Sequence, residues 1–208
     1  MMRRLIAAIA LCVAGTSGAS PVDRVVDLLG PYRQFSAEFT QSTLDSEGQP
    51  VSEINGRLAI QNAEVFFWQT DAPFAQQIVA DGDVVWIYDE DLFQVQVRPL
   101  GDALGASPAA VLGGDSALLN ETFRIQEEAL GELSVFRLVP RAEDDVTRQI
   151  ELRFDGSQLL DLQVIDALGN RTRIRFTSLD RNSPAPAQFE FTPPQGVDVI
   201  YALGQPSS

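Results

Sequence analysis

The chain has 208 residues, with 29 acidic side chains against 15 basic ones, a formal net charge of −14, one cysteine and no histidine. Such an acidic balance argues against nucleic acid or an anionic lipid surface as a partner. Every basic residue is an arginine, so histidine metal sites, Ser–His and Cys–His nucleophile pairs and lysine Schiff bases are all excluded, and neither enzymatic activity nor a cofactor or metal is expected.

Residues 1–19 read as a secretory signal peptide. Arg3 and Arg4 form a basic start, Leu5 to Ala14 an apolar stretch too short to span a bilayer, and Ser17-Gly18-Ala19 a small-residue cleavage site. Leu11 precedes Cys12 where a lipoprotein signal needs a small residue, so acylation of this chain is not expected. Cleavage after Ala19 removes the cysteine and takes the net charge from −14 to −16. It leaves residues 20–208 as a single domain held by its core, without disulfides.

That domain begins with a helix, in which Ser20 caps, Pro21 occupies the first turn, and Val22, Val25, Val26 and Leu29 recur at helical spacing until Gly30-Pro31. From Phe35 the period falls to two. Phe35, Ala37 and Phe39, then Leu58 and Ile60, Val65 to Gln69, Gln76 to Ala80, Val84 to Tyr88, and Phe93, Val95 and Val97 form a meander, with Asp81-Gly82 as one tight turn. After residue 122 the alternation resumes at Phe123 and Ile125, Ser134 to Val139, Ile150 to Phe154, and a hairpin around Leu168-Gly169-Asn170. Arg171, Arg173 and Arg175 project from one face there, towards acids such as Glu151 and Asp161. This stripe fits a solvated convex face better than a binding patch.

The interruption at Gly101 to Leu119 reads as short helices: Ser107-Pro108 caps one, Gly113-Gly114 stops it, and Asp115 starts another. Being too short to be stable alone, they must rest on the concave face of a curved sheet, either as a plug or as a lid able to lift on its glycines. Val65-Phe66-Phe67-Trp68 and Trp86-Ile87-Tyr88 are apolar on both faces of their strands. One face belongs to a core, and the other needs the N-terminal helix, the lid or an apolar ligand. Near the end, Phe189-Glu190-Phe191 reads as an edge strand stopped by Pro193-Pro194. About ten strands result, without a linker or repeat.

Six segments together resemble the LolA family of periplasmic lipoprotein carriers: Phe35-Ser36-Ala37-Glu38-Phe39-Thr40-Gln41, Gly56-Arg57-Leu58, Phe66-Phe67-Trp68, Asp81-Gly82 leading to Trp86-Ile87-Tyr88, Ser107 to Leu112, and Phe189 to Val197. The resemblance implies a mainly β fold, an incomplete, strongly curved antiparallel β-barrel with an N-terminal helix and short lid helices over an apolar concavity. It also implies a periplasmic chaperone that shields the acyl chains of triacylated lipoproteins. Such a carrier shuttles them from an inner-membrane ABC transporter to an outer-membrane receptor. Phe66 and Trp68 match aromatic cavity positions of the family. Ile60, Val85 and Ile87 in the cavity, and Leu104, Val111 and Leu112 in the lid, follow from strand parity and lid placement. Where the family commonly carries a lid-latching arginine this chain has Asn62, leaving the latch to Asn62 itself, to Arg57 or to Arg98.

Two other functions remain open on the sequence. One is an exported barrel for a small apolar ligand or glycolipid. The other is a carboxylate enzyme built on Asp144-Asp145 or Glu127-Glu128, which is disfavoured because adjacent strand residues face opposite ways.

Overall fold

Strands alternate apolar and polar residues over most of this chain, and in a computed structural model describing residues 19–142 and 146–202 they assemble into one sheet. The signal segment up to residue 18 and the Asp144-Asp145 pair lie outside the described residues. The first half of the sheet contains β1 (Phe35–Leu44), β2 (Pro50–Ile60), β3 (Val65–Thr70), β4 (Gln76–Asp81), β5 (Val84–Asp89) and β6 (Gln94–Pro99). The second half contains β7 (Phe123–Leu130), β8 (Leu133–Pro140), β9 (Thr147–Asp155), β10 (Gln158–Asp166), β11 (Arg171–Asp180) and β12 (Asp198–Tyr201). Spatial order is β12-β6-β5-β4-β3-β2-β1-β11-β10-β9-β8-β7, so two up-and-down meanders join at β1 and β11. β12 and β7 are the two edges, and the curled sheet stays an open barrel.

Helix α1 (Pro21–Leu29) forms as its sequence dictates. Ser20 Oγ accepts from the Asp23 backbone N–H at 3.2 Å and donates to the Asp23 carboxylate at 2.7 Å, and Val25 and Leu29 are buried. Gly30-Pro31 does not end the helical path, because the chain tightens into a 3₁₀ turn over Gly30–Tyr32. Proline tolerates such a turn, and the turn drives Tyr32 into the protein. The Tyr32 hydroxyl donates to the Ser157 carbonyl and accepts from Leu159 N–H and Arg181, whose guanidinium also lies 4.8 Å from the ring centre. Arg24 of α1 reaches Glu127 on β7 at 3.0 Å, tying the helix to the far edge of the sheet.

Between β6 and β7 lie three short helices, α2 (Leu100–Leu104), α3 (Pro108–Gly113) and α4 (Ser116–Thr122). The anticipated caps are present: Ser107 Oγ accepts from Ala110 N–H at 3.1 Å and Asp115 Oδ1 from Leu118 N–H at 2.9 Å. Leu100, Val111, Leu112 and Leu119 enter the same buried cluster as Phe35, Leu58, Ile60 and Phe66. Burial, worth about 1.5–3 kcal/mol per large apolar side chain, is what holds helices this short.

The C-terminal segment departs from expectation. Phe189-Glu190-Phe191 is not a strand: Pro186–Phe189 is a 3₁₀ turn and residues 190–197 join no ladder. Pro193 and Pro194 carry no N–H to donate, so the segment crosses the convex face until β12 can pair, parallel, with β6. Phe189 is buried, and the Phe191 ring lies 5.6 Å from Trp86 and 6.2 Å from Tyr88. The second apolar face of the aromatic strands is therefore covered by this strap. The arginine stripe on β11 also differs in detail. Asp161 pairs with Arg153 and Glu151 with Arg137, while Arg173 donates to Gln163 at 3.0 Å. These pairs hold the Arg153 and Arg137 pKa values above the usual arginine value, chiefly through hydrogen bonds from Asp161 and Glu151 respectively.

Candidate functional site

Ladder register decides which side chains share the concave face, because directly paired residues point the same way. Ile60 pairs with Phe66, Phe66 with Ala80 and Ala80 with Val85, while in the next row Trp68 pairs with Ile78 and Ile78 with Ile87. Ile60, Phe66, Trp68, Val85 and Ile87 thus lie on one side of four successive strands. Their neighbours Ala59, Phe67, Val79 and Trp86 lie on the other.

The turn before β5 fixes this parity. Asp81 accepts from Asp83 N–H, Val84 N–H and the Trp86 indole N–H, each at 3.0 Å. With Trp86 drawn to the convex side, Val85 and Ile87 must face inward. Partial burial pushes the Asp81 carboxyl up, but the bonds from Val84, Trp86 and Asp83 outweigh it and hold the pKa below the ordinary value.

On the concave side is a cavity of about 1050 Å³. Phe66, Trp68, Val85 and Ile87 line it together with Ile54, Ile78, Val164 and Ile174, and Ala103 to Ala109, spanning α2 to α3, closes it from the lid side. Leu104 is part of this wall. Ile60, Val111 and Leu112 are not: they are 0%, 0% and 1% exposed, within the core beneath the cavity. Phe39 supports the wall from below, its ring 4.9 Å from Trp68. Gly56 makes room for that stack, since a Cβ there would collide with the Phe39 ring and the Gln69 carbonyl. Sequence parity missed Ile54, Ile78, Val164 and Ile174, although each continues an alternation already visible on its strand.

Asn62 does not bond the lid. Its Oδ1 accepts from Glu64 N–H and Val65 N–H, both at 2.8 Å, and so shapes the β2–β3 turn. Lid and turn instead meet backbone to backbone: a Cβ on Gly113 would lie 2.5 Å from both Ala63 N and Asn62 C. Arg57 faces the convex side, bonded to Gln69 and 5.7 Å from the Phe67 ring centre, away from the lid. Arg98 lines the cavity two residues before α2 ends β6's run into the lid, and donates to Gln96 at 2.9 Å.

Antiparallel order places loops 45–49, 71–75, 90–93 and 167–170 at one end, where the cavity opens. Phe74, Leu92 and Val146 stand at this mouth and line the cavity while remaining 60%, 68% and 80% exposed. Exposed side chains of this size around an apolar hollow mark an interaction surface. Glu127 and Glu128 form no acid pair: Glu127 bonds Arg24 on the concave side and Glu128 bonds Arg137 on the convex side.

Comparison with known proteins agrees with this architecture. The family profile described as outer membrane lipoprotein carrier protein LolA matches residues 31–192. An outer-membrane lipoprotein carrier protein of Pseudomonas entomophila is 34% identical over 198 residues, covering 94% of this chain and 96% of its own. Its counterpart from Azotobacter vinelandii is 38% identical over 180 residues, covering 86% and 87%. Among solved structures, an uncharacterized conserved protein from Thermus thermophilus superposes with a TM-score of 0.54 at 15% identity, over 88% of this chain and 100% of that one. A LolA superfamily protein from Nitrosomonas europaea gives 0.50 at 12%, over 83% and 99%. These structures share the fold, while the sequence matches carry the kinship: the chain belongs to the LolA family of outer-membrane lipoprotein carrier proteins.

Proposed function

We propose that this protein is a periplasmic chaperone that takes lipoproteins from an inner-membrane ABC transporter, shields their acyl chains in the cavity and delivers them to an outer-membrane receptor. In this reading the chain is exported, cleaved after Ala19, and works as residues 20–208. The observation that carries it is the apolar cavity of about 1050 Å³, walled by Phe66, Trp68, Val85, Ile87 and Leu104, in a chain whose relatives are named as lipoprotein carriers. Each methylene removed from water is worth about 0.8 kcal/mol, so three acyl chains left exposed would cost tens of kcal/mol.

Release matters as much as binding. Val111 and Leu112 occupy the core in the empty protein, and cargo entering deeper must displace them. Net affinity is then the difference between two sets of apolar contacts, and handover needs no catalytic group. Arg98, at the cavity wall beside α2, takes the latch role for which Asn62 and Arg57 are badly placed. The mouth formed by Phe74, Leu92 and Val146 is the docking face for transporter and receptor.

The experiment is mass spectrometry of material co-purified with the protein from the periplasm. Intact lipoproteins support the carrier reading. Free lipid or glycolipid alone overturns it in favour of a small-ligand barrel.

A further inference from the structure

The cavity is layered. Its inner wall is aromatic and aliphatic, but nearer the mouth the concave positions become Gln41, Thr70, Gln76, Asp89 and Thr172. Most of these are engaged locally. Thr70 Oγ1 donates to the Phe74 carbonyl and accepts from Gln76 N–H, the Thr172 and Thr43 hydroxyls bond each other at 3.2 Å, and Asp89 accepts from Leu92 N–H. The side-chain amides of Gln41 and Gln76 have no hydrogen-bond partner among the described residues. Each offers two N–H donors and a carbonyl acceptor at the boundary between apolar wall and water.

We propose that Gln41 and Gln76 form a subsite for the polar junction of a triacylated cysteine, where two glyceryl ester carbonyls and one N-acyl amide meet. This assignment rests on the carrier reading above. The acyl chains then lie against Trp68, Ile78 and Ile87, and the junction sits at the level where amides replace hydrocarbon. Its charge fits as well. Asp89 and Asp91 line the same mouth and disfavour a phosphate, whereas the acylated cysteine junction carries no charge. A phospholipid presents similar esters but brings an anionic headgroup, so the two sources of glyceryl ester are separable.

The test is displacement of an apolar fluorophore from the purified protein by three competitors: a triacylated cysteinyl peptide, its di-ether analogue lacking the two ester carbonyls, and dipalmitoylphosphatidylglycerol. The ester peptide should act at about tenfold lower concentration than either of the others, the worth of one or two neutral hydrogen bonds. In the Gln41→Leu/Gln76→Leu double variant the ester–ether difference should vanish. Equal displacement by ester and ether peptides from the unaltered protein, or a difference that survives in the double variant, overturns the subsite. A preference for the phospholipid contradicts the neutral junction. No displacement by either peptide overturns the carrier reading and this assignment with it.

Discussion

Individual side chains divide into those that build the wall and those that only present it. Phe66 is 7% exposed and sits in the main buried cluster, so Phe66→Ala should cost about 3–5 kcal/mol in urea unfolding before any cargo is involved. Ile87 is half-buried and faces the cavity. Ile87→Glu should therefore leave a cooperative fold and weaken binding of an apolar fluorophore at least tenfold, because the carboxylate must be desolvated beside hydrocarbon; unaltered binding would remove Ile87 from the site. Asp81 gives a pH signature. Its pKa is depressed in the folded protein, so its contribution to stability is complete above the unfolded carboxylate value and is lost as pH falls below about 4 towards the folded value. Urea unfolding across that window should show a smaller loss of stability on acidification in Asp81→Asn than in the unaltered protein.

Among the elements, the lid was legible because capping is local chemistry: Ser107-Pro108 and Asp115 declare their helices without knowledge of the sheet. The latch was not, because it depends on which face of β2 looks at the lid, and Arg57 and Asn62 proved to be engaged elsewhere. The contact that matters, Gly113 against Asn62 and Ala63, leaves no sequence signal beyond a glycine that also suits a helix end. A methyl group there must push α3 off the β2–β3 turn. Gly113→Ala should thus lower stability while strengthening fluorophore binding several-fold, and hydrogen exchange should quicken across residues 108–113. Unchanged exchange there would mean that α3 is anchored by its buried side chains alone.

Across the whole molecule, strand periodicity revealed the curled sheet and its concavity, because a period of two needs only neighbours. The strap was misread for the complementary reason. Phe189, Glu190 and Phe191 alternate as a strand would, yet their partners Trp86 and Tyr88 come from β5, about a hundred residues earlier. Covering the convex face leaves the concave face as the apolar surface open to cargo. Phe191→Ala should cost about 2 kcal/mol in thermal or urea unfolding without entering the cargo site. This two-faced design also offers the most direct test of the carrier account. A photo-crosslinking amino acid placed at Ile87 in the native host should capture lipoproteins, whereas the same group one residue away at Trp86, on the strapped face, should not. Lipoprotein adducts absent at Ile87, or equal at both positions, would contradict the claim that the concave cavity carries the acyl chains.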